Sequence, residues 1–167
     1  PSGACSPEGG LLSGGWTAPC AGEKTGERVL QWSESKHNVS VNHTDGRVHP
    51  ADLQDPKRAR CMGHSTARWE DSTLVIDTIG FNDRSWLDRV GHPHSAGLHV
   101  VERVRRVDHA TLEYTVTVDD PQAYLAPWTC QMTFTLRPDW EVPEHHCIPV
   151  GEDYLRYKER AWRTSGP

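Results

Sequence analysis

Strict alternation of apolar and polar side chains, with no competing helical period, restricts the fold of this chain more than any other feature. Leu112, Tyr114, Val116 and Val118 fall on one side of an extended segment, with Glu113, Thr115, Thr117 and Asp119 on the other. Cys130, Met132, Phe134 and Leu136 oppose Thr129, Gln131, Thr133, Thr135 and Arg137 in the same way. A period of two is the signature of a strand with one buried face. Further strands are expected over 28–32, 39–42, 66–69, 73–79, 98–107, 112–118 and 128–137, with another candidate at 146–150. The stretch 152–162 suits a short helix or a strand equally. Turn chemistry separates these segments: Asp45-Gly46, a two-proline loop over 50–60, Glu70-Asp71-Ser72, a loop over 81–97, and Asp108-His109-Ala110. The pattern predicts an all-β, single-domain, mainly antiparallel fold. It takes the form of a β-barrel (calycin-like or cupin-like) or a β-sandwich. A coil-rich N-terminal segment, 1–27, precedes a single β domain over 28–167.

Size and charge narrow the partners. A length of 167 residues suits one domain. Mean hydropathy is -0.68, and nothing approaches the roughly 20 apolar residues of a spanning helix, so no membrane partner is expected. The net charge is -5 with no long basic run, which speaks against a nucleic acid partner. The chain begins with Pro1, which reads as a processed product of an exported precursor. Five cysteines, at 5, 20, 61, 130 and 147, contain no CxxC pair, which argues against a zinc ribbon. Disulfides Cys5–Cys20 and Cys61–Cys147 are expected, with Cys130 a buried thiol; the alternative is five reduced cysteines. A homodimer is compatible with the sequence.

One strand carries an ionisable residue where an apolar one is expected. Glu102 falls in register with Leu98, Val100 and Val104. If Val104 pairs with Tyr114, Glu102 enters the apolar layer; a one-residue slip would send His99 and Arg103 inward instead. Either arrangement requires a partner or a shifted pKa.

A string of motifs resembles an uncharacterised group of secreted bacterial β-rich proteins. It comprises Asp45-Gly46-Arg47-Val48-His49-Pro50, then Gly63-His64-Ser65-Thr66-Ala67-Arg68-Trp69-Glu70 running into Thr73-Leu74-Val75-Ile76-Asp77-Thr78 and Gly80-Phe81-Asn82. Pro93-His94-Ser95, Leu98-His99 and Asp119-Asp120-Pro121 with Tyr124 and Pro127-Trp128-Thr129 complete it. The resemblance covers about residues 45–147. It implies a secreted or periplasmic β-rich protein and supplies no mechanism.

Ten histidines invite a metal or acid–base reading. In Gly91-His92-Pro93-His94, two His at i and i+2 of an extended segment point the same way, and His99 follows at the next strand. His92, His94 and His99 could hold one divalent transition metal (Zn, Cu, Fe or Mn) with a coordination position left open. The pair resembles the His-x-His signature of cupins, although the spacing to Glu102 is longer and the second cupin motif is missing. A solvated His-rich loop explains the same residues. His64, His145 and His146 could join the other histidines only through folding. A metal-free alternative is an acid–base lyase or isomerase using Asp77, His99 and Glu102, with Arg103 holding an anion or developing charge. An internal salt bridge from Glu102 to an arginine is the structural counterpart. Asp119-Asp120-Pro121 reads as a turn cap rather than a calcium site. Trp69, Trp86 and Trp128 serve either as core pillars, the favoured reading, or as a pocket mouth. No P-loop, Rossmann, GxSxG or HExxH pattern occurs. The expectation is a secreted enzyme acting on a small molecule or saccharide through a His-based, metal-dependent pocket. A non-catalytic ligand-binding barrel and an interaction module are the alternatives.

Overall fold

The structure is a computed structural model and describes residues 20–33, 38–53, 55, 57–88 and 91–142. The candidate elements at 146–150 and 152–162 lie outside the described residues, as do Cys5 and Cys147 of the expected disulfides. Among the described residues Cys61 and Cys130 are free thiols.

Eight strands form one sheet curled into a half-barrel, in the order of the chain, and no helix occurs among the described residues. They are β1 (Cys20–Thr25), β2 (Arg28–Ser33), β3 (Asn38–His43), β4 (His64–Glu70), β5 (Thr73–Ile79), β6 (His99–Arg106), β7 (Thr111–Asp119) and β8 (Trp128–Thr135). Every neighbouring pair is antiparallel except β3 and β4, which run parallel and pair over Asn42–Ser65 and His43–Thr66 alone. The all-β expectation holds, in one curled sheet rather than two stacked ones.

Two features depart from the sequence reading. Residues 20–25 belong to a stretch expected to be coil, yet they form β1. The tight turn explains it: Thr25 pairs with Arg28 across Gly26-Glu27, and Gly26 takes φ 52, which costs glycine little. The second departure is the parallel β3–β4 joint, which requires the long connection over 44–63 to cross the sheet.

Alternation then sorts the residues into two faces. On the core face, Leu74, Ile76, Val100, Tyr114, Val116 and Val118 are buried. The 81–98 loop covers part of it, contributing Phe81, Leu87 and Leu98. Val104 pairs with Tyr114, so Glu102 does point into this layer, opposite Val116. Near β3 the core face turns polar. Buried Asn42 donates to Val29 O at 3.1 Å and Gln31 Oε1 at 2.9 Å, and the Ser65 and Thr78 hydroxyls share a 2.9 Å hydrogen bond. The opposite face carries His43, His64, Thr66, Asp77, His99 and Arg103. That face gathers ionisable side chains of the central strands.

Of Trp69, Trp86 and Trp128, only Trp128 packs against the core, edge-on to Tyr124, while Trp69 and Trp86 are exposed. Asp120 is the turn cap expected: it is buried and accepts from Ser95 N at 2.6 Å, Ser95 Oγ at 2.7 Å and Gln122 N at 3.2 Å.

Candidate functional site

Strand pairing aligns Thr66 of β4 with Asp77 of β5, and Asp77 with Val101 of β6. His99 lies two positions from Val101 on the same face, and His64 lies two positions from Thr66. On the parallel side His43 aligns with Thr66. The connection over 44–63 then lays His49 across these strands. Four histidines from separate parts of the chain thereby form a chain of contacts that runs through one carboxylate.

The contacts are direct. Asp77 Oδ1 lies 2.9 Å from His49 Nε2, and Asp77 Oδ2 lies 3.1 Å from His99 Nε2. The Thr66 hydroxyl sits 3.3 Å from His49 Nε2. His49 Nδ1 meets His64 Nδ1 at 3.0 Å, and His43 stacks on His64 with ring centroids 5.6 Å apart and planes 23° from parallel.

With both rings neutral, this network sets the tautomers. Two ring nitrogens 3.0 Å apart share one proton, so one Nδ1 is bare. The Asp77 carboxylate accepts, so the His49 proton sits on Nε2 and its Nδ1 is the bare one. His64 must then carry its proton on Nδ1. Its Nε2 is left as a lone pair with no hydrogen-bond partner among the described residues. Burial, followed by His49, His43, Arg47 and Arg60, holds the His64 pKa below the ordinary histidine value. Burial, then Arg47 and Arg28, does the same for His43. His43 Nδ1 is buried and makes no hydrogen bond among the described residues.

His64 and His43 border a cleft of about 410 Å³, whose other walls come from Pro50, Leu53 and the 57–60 turn. Gly63 and Gly80 also line it.

Asp77 and His99 come together as a pair, but Glu102 does not join them, because it is two-residue periodicity that sets its side of the sheet. Glu102 is fully buried in the core and accepts a 2.6 Å hydrogen bond from the Tyr114 hydroxyl, where a salt bridge to arginine was the structural counterpart expected. Arg103 shares the face of Asp77 but is tied to Glu70, which also holds Arg68.

His92, His94 and His99 do not converge. The 91–95 segment is not an extended strand, so the i, i+2 rule does not apply to it. His92 is exposed and bonds Asp88 Oδ2 at 2.5 Å. His94 is buried edge-on to Phe81; its Nδ1 donates to Ser95 O at 3.0 Å, and its Nε2 accepts from the Ser85 hydroxyl at 2.9 Å. It is a satisfied core histidine. Among the described residues no group of three or more His, Cys, Asp or Glu is arranged to hold a metal ion.

Sequence reading misses His43 and His49 as members of the site, and names His64 only as a histidine that folding could bring in. A signal did exist, since His64, Thr66 and Asp77 share a face once 66–69 and 73–79 are paired as a hairpin. Compared with protein-family models, with curated proteins and with solved structures, the chain shows no match.

Proposed function

We propose that this chain is an exported small-molecule enzyme of the acid–base class, a lyase or isomerase, in which His64 takes up and returns the proton. The single observation that carries this reading is the 3.0 Å contact between His49 Nδ1 and His64 Nδ1, with His49 anchored on Asp77. A neutral imidazole with a bare Nε2 beside a cleft is a general base at neutral pH. When His64 Nε2 gains a proton, its Nδ1–H is directed at His49, and the Asp77 carboxylate stabilises the charge that spreads onto the two rings. The same logic operates when a carboxylate orients the histidine of a catalytic triad. His99 occupies the second oxygen of Asp77, which keeps that carboxylate from rotating away from His49. The lowered His64 pKa keeps the ring unprotonated, and so available as a base, in the resting site.

Nitrogen NMR of the histidine rings at neutral pH tests the assignment. The expected result is a proton on His64 Nδ1 and none on Nε2; the reverse tautomer sinks the proposal. Proton transfer is read as solvent deuterium entering a panel of small carbon acids and saccharides. His64→Gln should abolish exchange, and Asp77→Asn should slow it on the order of 10³-fold or more, as expected when a histidine loses its orienting carboxylate. Exchange should survive a chelator and follow a bell-shaped pH profile.

A further inference from the structure

We infer that the cleft takes a small molecule bearing a carboxylate or phosphate group, which Lys57 and Arg60 hold against the open side of His64. This rests on His64 as the reacting base and adds the class of substrate it meets. A volume of about 410 Å³ fits a small organic molecule. Three of the lining residues, Lys57, Arg58 and Arg60, are cationic, and no carboxylate is among the described lining residues. The whole chain carries a net charge of -5, so this concentration of positive charge is local.

The three cations are not equivalent. Arg58 is paired with Asp52, its Nη1 lying 2.7 Å from Oδ2. The side chains of Lys57 and Arg60 have no acidic partner among the described residues. Arg60 is also the best anchored of the three. Its N–H donates to Gly80 O at 3.1 Å, and its carbonyl accepts from Gly63 N at 3.2 Å and Asn82 N at 2.9 Å. A pinned backbone carrying an uncommitted guanidinium is preorganised for an anion, and its planar fork matches carboxylate and phosphate oxygens. Arg60 stands close enough to His64 to act on it electrostatically, so an anion bound there sits beside the base. Pro50 and Leu53 add an apolar wall for the carbon skeleton. A small amphiphilic anion satisfies all of these groups at once.

The test is NMR of the nitrogen-labelled full chain at constant ionic strength, titrated in separate arms with sodium malonate and with inorganic phosphate. Saturable shifts at Gly63, His64 and Gly80 are expected in at least one arm. Affinity should be at least ten-fold weaker in the double variant Lys57→Gln/Arg60→Gln, which alters two exposed side chains and leaves the core intact. Arg105→Gln, whose guanidinium is paired with Glu113 away from the cleft, should bind like the parent. A response to malonate alone assigns a carboxylate substrate, and to phosphate alone a phosphate ester. No saturable shift in either arm, or undiminished binding by the double variant, overturns the inference. His64→Gln separates the two levels. Anion binding together with persisting deuterium exchange in that variant removes the base and leaves the anion site. Exchange that depends on His64 without anion binding by the parent does the opposite.

Discussion

A carboxyl group sealed into an apolar layer keeps its proton. Burial raises the Glu102 pKa to about 8, and the hydrogen bond from Tyr114 pulls it only partway back. Tyr114 is shifted upward in turn, by burial first and then by Glu102. Glu102 Oε2 has no hydrogen-bond partner among the described residues. Between the ordinary value of 4.5 and about 8, the folded chain therefore binds more protons at this site than the unfolded chain. Stability falls as pH rises through that window. Glu102→Gln should remove the fall, which amounts to a few kcal/mol on the order of what the shift implies. Thermal melting at about pH 5 and about pH 8 checks it: the parent loses stability across the interval relative to the variant, and equal slopes would refute the assignment. His43 and His64 contribute with the opposite sign, since their lowered pKa values cost stability as pH falls below 6.5. Comparing the variant with the parent cancels that contribution.

At the scale of elements, turns and registers decide what reaches the cleft. Gly63 adopts φ +65, and a Cβ there would lie 2.8 Å from Ile79 O and 2.8 Å from Thr78 Cγ2. Gly63→Ala should cost more than about 1 kcal/mol, from strain together with the clash, and displace His64 beside it. A lowered denaturant midpoint with weakened exchange activity is the expected outcome. The strands themselves were largely legible, because period-two alternation is written locally; β5 matches its expected range and β7 extends it by one residue at each end. The same pattern left two registers open for the β6–β7 hairpin, and the chain takes the one that pairs Val104 with Tyr114. The histidine cluster was not legible, because its members are joined through folding: His49 and Asp77 stand 28 positions apart, and His49 and His64 stand 15 apart. A parallel joint between β3 and β4 leaves no signature in either strand alone. Local spacing favoured His92 and His94 instead, and the nearer partners Asp88 and Ser85 claimed them.

Across the whole molecule the sheet is unevenly joined. β3 and β4 pair through two residue positions, whereas β6 and β7 pair through eight. Amide hydrogen exchange should therefore release β1–β3 earlier than β5–β7, whose strands are paired along both sides. Uniform protection across all eight strands would contradict this. The site spans the weak joint, with His43 on one side and His64, Asp77 and His99 on the other. The connection over 44–63 closes it, supplying His49 together with Pro50, Leu53, Lys57, Arg58 and Arg60. One surface segment thus supplies most of the cleft lining, while His43, His64, Asp77 and His99 sit on strands. Surface segments tolerate change in length and composition far better than paired strands do. If the proposed relay operates, the architecture divides heritable variation in two: the relay is fixed by the sheet, and the segment over 44–63 is a cassette in which drift can retune what is recognised without rebuilding the chemistry.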